Sequence, residues 1–459
     1  MKINPDNVEL FEKMPVRQAV LKQSIPAIIS QLITLLYNLT DTYFIGALSN
    51  PVLVAAATAV LPVYLLLSAI GNLPGVGGGS RYANYLGEKD NKSASYVSSA
   101  AFWMGVMLSL SFCIIFPLFA KPLLMLCGAD NESMTPAMDY AYWVITIGGI
   151  PVILNLVLSN LIRAEGMAKH ASLGITIGGI LNIILDPLLI LPQFMNMGIV
   201  GAGIATAFSN IVSMIFFILL IFNKKNNGGI NISLKWSVNA LKYIPDIVGV
   251  GISSSLQYLL TVVAVGAQTC FVSKYGNIPL AALGIVKRLN YLPLYFTIGL
   301  SQGILPLLAY NHSAGNIERR KSVFRLGCII SLSFAIFCFV LYEIFAKEIT
   351  GLFINDAETI NYASSFLRMM VVAMPFMAIS YLAITQFQAM RMVKEALICS
   401  IIRKGVLDIP LLILLDSLFP LYGCMWVQPI VDCISLVVAI YFILAFKQNT
   451  VNYFEFKNS

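Results

Sequence analysis

Twelve apolar stretches of about 20 residues follow one another along the chain, separated by short polar interruptions. Each is long enough to cross a bilayer as a helix, the conformation that satisfies every backbone amide within its own segment. They fall near residues 24–47, 52–76, 94–119, 139–162, 170–192, 198–222, 247–272, 279–308, 323–346, 362–390, 395–416 and 420–446. One long polar interruption, NKKNNGGINISLKWSVNALK at 223–242, parts them six and six. Its Asn, Gly and Lys content reads as a loop, with a short amphipathic piece around Trp236. The pattern predicts an all-α integral membrane protein of twelve transmembrane helices in two six-helix lobes. The lobes are expected at 1–222 and 247–459, with a cytoplasmic linker at 223–246.

The two halves repeat at an offset of 222–228 residues. Gln31 falls opposite Gln257, Gly75 opposite Gly303, Tyr82 opposite Tyr310, and Gly201 opposite Gly423. LDPLLIL at 185–191 parallels LDIPLLI at 407–413. An even number of spans per copy makes the copies parallel, related by a pseudo-two-fold axis along the membrane normal.

Composition closes off other classes. The 459 residues are 58% hydrophobic and 11% charged, with a mean hydropathy of +0.82, against about a quarter charged in soluble domains. Met1–Lys22 carries acidic as well as basic residues, so a removable signal peptide is not expected. The net charge of +7 does not indicate nucleic acid; its placement is what matters. Lysines and arginines outside the spans or at their edges, from Lys2, Lys13 and Arg17 through Lys225, Lys235 and Arg319 to Lys457, number 21 on one side against 4 on the other. The richer side is cytoplasmic by the positive-inside rule, which puts both termini in the cytoplasm. The eight cysteines lack a CxxC pair and read as apolar packing residues. Two histidines, His170 and His312, lie at segment edges, so neither a structural zinc site nor a Ser-His-Asp hydrolase is supported.

Polar groups inside the spans carry the chemistry. Gln31–Gly46, QLITLLYNLTDTYFIG, holds a single charge, Asp41. A carboxylate near mid-bilayer costs about 2.5–3.5 kcal/mol unless it faces protein or a wet cavity. At 100° per residue Thr34, Tyr37 and Asn38 share its stripe of the helix within about 60°. Asn182 and Asp186 sit four apart on one face of the fifth span. Pro187 follows and withholds a hydrogen bond from the carbonyl of Ile183. An Asn/Asp pair with free carbonyl oxygen suits a hard cation or a proton relay; the alternative is a hydrogen bond that only packs the lobe. Asn155 shares a face with Ser159 in the fourth span, and Thr206 lies in the small-residue run GAGIATA of the sixth. Pro26 enters the first span ahead of Asp41 and is a hinge candidate, prolines at a helix's first turn being the alternative.

The second half differs. No carboxylate matches Asp41; Ala267 and Gln268 occupy that region. Its buried charges are mostly basic: Lys287 and Arg288 in the eighth span, Arg403 and Lys404 in the eleventh. Asp408 follows Lys404 at the i, i+4 spacing of a neutralising pair, and Asp432 lies in the twelfth span. The 18 methionines and 47 Phe and Tyr residues supply adaptable apolar walls.

YNLTDTYFIG, GNLPGVGGGSRYANYLG, NLIRAEGMAKHASLGITIGGILNIILDPLLI and GIVGAGIATAFSN, in this order and spacing, resemble the multidrug and toxic compound extrusion (MATE) family, in its bacterial DinF-like and MepA-like branch. The resemblance covers nearly the whole chain. It implies a monomeric antiporter of the bacterial inner (cytoplasmic) membrane, without cofactor, that exports small organic, often cationic, compounds by rocking its two lobes. It further implies that H⁺ or Na⁺ is handled by first-, fifth- and sixth-helix residues of the amino-terminal lobe. The matching positions are Asp41, Asn182, Asp186 and Thr206, with Na⁺ held at the first three if that is the ion. NorM-type members add carboxylates in the second lobe; at the matching places here Gln257 is the nearest polar group.

Two carboxylates close together in a low dielectric share a proton or bind a cation, and a cationic drug competes for the same charge. Gln31, Thr34, Tyr37, Asn38, Asn155 and Gln257 are expected to line the substrate cavity. Two other readings stay open. A lipid-linked precursor flippase would need a strongly cationic cavity, for which Lys287, Arg288, Arg403 and Lys404 are candidates. An intramembrane enzyme would need a nucleophile–base pair or a metal cluster, and the sequence offers neither.

Overall fold

The computed structural model describes residues 9–48, 50–224, 229–233 and 240–458. The amphipathic piece expected around Trp236 lies outside the described residues, as do Lys2, Lys225 and Lys235 of the charge bias. Among the described residues the chain is helix and connecting turns, without a strand.

The first half comprises α1 (Val16–Ala47), α2 (Pro51–Gly87), α3 (Asn91–Leu126), α4 (Met134–Ile147), α5 (Gly149–Ala164), α6 (Ala168–Ile190) and α7 (Gly198–Lys224). The second comprises α8 (Ile244–Ser273), α9 (Asn277–Ser313), α10 (Ile317–Ile344), the short α11 (Ala346–Gly351), α12 (Ala357–Val371), α13 (Ala373–Ala389), α14 (Val393–Ile401), α15 (Asp408–Leu418) and α16 (Gly423–Asn458). Nine described helices are long and apolar enough to cross a membrane unbroken, and two bent pairs, α4 with α5 and α12 with α13, each at 42°, are long and apolar enough when taken as one span each. The bends have a shared cause. Pro151 and Pro375 have no N–H to give the carbonyls of Ile147 and Val371, so each helix breaks there and restarts two residues before the proline, at Gly149 and Ala373.

The eleventh expected span, 395–416, is the one that length and apolarity miss. It is broken into α14 and α15 by a π turn at Ile402–Val406, where Lys404 leaves helical geometry at φ −139° and ψ 20°. Pro410 explains the position of the break, because it withholds an amide from the carbonyl of Val406. An interrupted span at membrane depth is tolerated where protein surrounds it.

The chain packs as two compact units. The first takes in Met1–Leu259, Ile298–Val323 and Gln388–Met390, and so adds the ends of the seventh and eighth spans to the first six. Glycines make this possible. A Cβ on Gly299 would stand 2.6 Å from Cα of Ile28, and one on Gly77 or Gly251 would strike the carbonyl of Ile247 or Leu73 respectively. Backbones approach this closely only where a side chain is missing. A π turn at Glu9–Lys13 is held here as well. Phe11 is buried and stacks on Tyr310 with ring centroids 4.8 Å apart. Tyr310 donates to Glu12 Oε1 at 2.8 Å, and Arg319 Nε donates to the Phe11 carbonyl at 2.7 Å.

Helix α6 is central to the first unit, packed on both α1 and α7. Its glycines face its neighbours: a Cβ at Gly179 would lie 2.7 Å from Ile33 Cγ2 in α1, and one at Gly178 would collide with Ser213 Oγ in α7. The sequence thus brings the carboxylate-bearing faces of α1 and α6 together. The second unit takes in Leu260–Thr297, Phe324–Phe387 and Arg391–Ser459, around a core that includes Val286, Phe366, Leu367 and Met425.

Candidate functional site

Five helices of the first unit deliver one string of polar groups. From α6, Asn182 and Asp186 are buried, at 2% and 0% exposure. Their i, i+4 spacing does what a helix dictates: Asn182 Nδ2 donates to Asp186 Oδ1 at 3.1 Å. The same nitrogen donates to Thr206 Oγ1 of α7 at 3.4 Å. One turn on, Asn210 Nδ2 donates to the Thr206 carbonyl at 2.9 Å. Asn155 of α5 in turn donates to the carbonyl and side-chain oxygens of Asn210, at 3.0 and 3.2 Å. Asn155, Thr206, Asn182 and Asp186 are therefore one connected network.

Asp41 joins from α1. Tyr140 of α4 donates its phenol to Asp41 Oδ2 at 3.1 Å. Asp186 lies within the electrostatic field of Asp41, and Tyr140 within the fields of both. Tyr37 stands on the same face of α1, with its hydroxyl 3.4 Å from that of Tyr64 in α2, and Tyr64 also feels Asp41. The sequence reading did not name Tyr140, Tyr64 or Asn210. Each is a polar-tipped side chain inside an apolar span, and a buried phenol usually finds a partner. That was the available signal, but the partner is set by tertiary packing alone.

The remaining candidates lie elsewhere in the unit. Gln31 Nε2 donates to Gln302 Oε1 at 3.1 Å, not to the carboxylates. Thr34 donates to its own helix at the Ser30 carbonyl, and Asn38 is half-buried on the stripe. Gln257 is buried in α8. Pro26 sits inside an unbroken α1.

Four buried oxygens in the string, Asp41 Oδ1, Asp186 Oδ2, Asn182 Oδ1 and Asn155 Oδ1, meet no donor among the described residues. Buried acceptors are normally satisfied, and an unmatched one costs about 1–3 kcal/mol, more when charged. The site is thus rich in acceptors and poor in donors. Chemically it can accept a proton or coordinate a hard cation through carboxylate and amide oxygens.

The second unit holds a different arrangement. Arg403 and Asp432, exposed by 2% and 1%, pair at 3.1 Å. The guanidinium also stacks 4.5 Å from the Tyr381 ring centroid. Lys404 Nζ donates to Gln428 Oε1 at 2.6 Å, and Gln428 Nε2 donates to Asp432 Oδ2 at 2.7 Å. Lys404 and Asp408 lie in each other's field, as their spacing suggests, but do not close into a contact ion pair. The π turn places the two residues out of helical register, and among the described residues no ion pair joins them. All eight cysteines are free thiols.

The family model described as MatE matches residues 26–188 and 252–414, one match per half. The multidrug export protein MepA of Staphylococcus aureus (strain NCTC 8325 / PS 47) is 31% identical over 431 residues, 94% of this chain and 94% of its own. MepA of Staphylococcus haemolyticus (strain JCSC1435) is 30% identical over 438 residues, 95% of each. Among solved structures, the outward-facing conformation of a multidrug resistance MATE family transporter of the MOP superfamily superposes with a TM-score of 0.89 at 23% identity, covering 96% of this chain and 98% of that one. The twelve-helix fold accommodates both the bent spans and the broken eleventh. Matched in each half by the family model and over nearly its whole length by relatives, this multi-pass membrane protein is a transporter rather than an enzyme and belongs to the MATE family.

Proposed function

We propose that the chain is a cation-coupled antiporter that exports small organic compounds, cationic ones among them, in exchange for H⁺ or Na⁺. The observation that carries this reading is the trio of donorless acceptor oxygens at Asp41, Asn182 and Asp186. A proton or a Na⁺ ion satisfies them from one side of the membrane, and a cationic compound competes for the same charge from the other. Thr206 fixes Asn182 through its hydroxyl. Tyr37, Asn38 and Asn155 offer polar contacts to the exported compound near the carboxylates, and Gln31, Thr34 and Gln257 do so farther along. The excess of Lys and Arg on one side supports cytoplasmic termini by the positive-inside rule, and we take the chain to act as a monomer in the cytoplasmic membrane of a bacterium. The names of the relatives, multidrug export proteins, support the substrate class.

The coupling movement is a bend of α1 at Pro26, where the helix already lacks one hydrogen bond. Replacing Pro26 with Ala restores that bond and is expected to weaken coupling several-fold while leaving expression unchanged. Transport by Pro26→Ala at the wild-type rate would remove the hinge.

A second reading, flipping of a lipid-linked precursor, is favoured by the basic groups Lys287, Arg403 and Lys404 in the second unit. Ethidium accumulation in a drug-sensitive bacterium separates the two. Export predicts that cells expressing the chain hold less dye, and that collapsing the ion gradients returns it. Unchanged accumulation at verified expression would favour the flippase.

A further inference from the structure

The repeat places the networks of the two units in register. Asn182, Asp186, Thr206 and Asn210 correspond, 222 residues on, to Lys404, Asp408, Gln428 and Asp432. One contact is shared: Asn182 Nδ2 donates to Thr206 Oγ1, and Lys404 Nζ donates to Gln428 Oε1. The charge is reversed. The first unit gathers two carboxylates, Asp41 and Asp186, without a basic side chain in its hydrogen-bonded string. The second gathers Lys287, Arg403 and Lys404 against Asp408 and Asp432, an excess of one positive charge.

The excess has a definite place. Arg403 is matched by Asp432 and is closed off from solvent. The two ammonium groups are not so matched. Lys404 bonds a neutral amide, and Lys287 bonds the Thr269 hydroxyl at 2.9 Å and the Val265 carbonyl at 3.3 Å. Among the described residues neither lies within ion-pair distance of a carboxylate. Both are half-buried, and Lys287 lies in the field of Lys404. Lys404 lies in the fields of Arg403, Asp432 and Asp408 without touching either carboxylate, and it stands on the non-helical turn that breaks its span. Like charges held at membrane depth without a counter-ion in contact are costly, and broken helices mark binding sites in transporters.

We propose that Lys287 and Lys404 form a site for an oxyanion, the carboxylate or phosphate of an exported compound, so that the second unit receives the anionic group of a zwitterion. This rests on the export reading above and names a substrate class for it.

A matched pair of dyes tests the proposal: rhodamine B, which carries a free carboxylate, and its ethyl ester, which carries only the cation. Binding is measured by fluorescence polarisation with the full chain in phosphatidylcholine nanodiscs. Lys287→Gln and Lys404→Gln should each weaken rhodamine B about tenfold, the loss of one charge-assisted contact, and leave the ester unchanged. Lys287→Arg, which keeps the charge, should hold rhodamine B close to wild type and so guard against misfolding. Phosphatidylglycerol that competes with rhodamine B only when both lysines are present would assign the oxyanion to a lipid headgroup phosphate; absence of competition assigns it to the soluble carboxylate. Equal loss of both dyes, or no loss of rhodamine B in the double variant, overturns the anion site alone. Wild-type protein that binds neither dye removes the export reading together with this one.

Discussion

Asp186→Asn is expected to fold, reach the membrane and lose uphill export, with dye efflux falling by at least ~10-fold, toward that of cells without the protein. The substitution keeps shape and removes charge. Asp186 is fully buried and its one described hydrogen-bond donor is Asn182, so a neutral amide costs less to bury there than a carboxylate. Thermal stability should therefore hold or rise while transport disappears, a combination that general damage does not produce. Asp41→Asn should behave alike, since Tyr140 can donate to the amide oxygen as it does to Oδ2. If the two carboxylates act as one ion site, the double variant will be no worse than either single one, because groups that act as a unit are not additive. Efflux assays with melting curves on the purified variants check this. Normal export by both single variants would end the ion-coupling role of the pair.

The largest stability effect is expected in the second unit. Asp432→Ala strands the Arg403 guanidinium, which is closed off from water and has Asp432 as its carboxylate partner at 3.1 Å. It also removes the acceptor for Gln428 Nε2. Breaking a buried pair from one side costs about 3–5 kcal/mol, a large fraction of the about 5–15 kcal/mol that holds a domain folded. Asp432→Ala should lose most of its monodisperse yield in detergent and melt well below the parent. Arg403→Met together with Asp432→Leu leaves no charge to strand and should recover much of the loss. Size-exclusion profiles and melting curves of the three proteins decide the matter. A single variant as stable as its parent would show that water or lipid already solvates the guanidinium.

The pattern of apolar runs made the spans legible because a membrane leaves the backbone few choices. Asp41 was legible as a lone charge in such a run, and the pair Asn182 and Asp186 through helical spacing. Their partners were harder to foresee. Tyr140 is separated from Asp41 by 99 residues, and neither helical period nor composition links them. The eleventh span misled for a related reason: a run from 395 to 416 reads as one helix with Lys404 and Asp408 one turn apart. Pro410 lies beyond both residues, and the amide it withholds loosens the turn before it. The glycines that draw the ends of α8 and α9 into the first unit were visible as a repeat but not as contacts. A missing Cβ marks the place of a close approach without naming the neighbour.

If Asp41 and Asp186 exchange a cation against the exported compound, substrate-driven ion flux in proteoliposomes, with Na⁺ and pH gradients imposed separately, reports that exchange. For wild-type protein, adding ethidium should drive flux of one of the two ions, and an imposed gradient of that ion should accelerate dye movement in the opposite direction. Asp41→Asn should abolish both. Ethidium movement that proceeds without flux of either ion, or an ion flux that survives Asp41→Asn unchanged, would contradict the account.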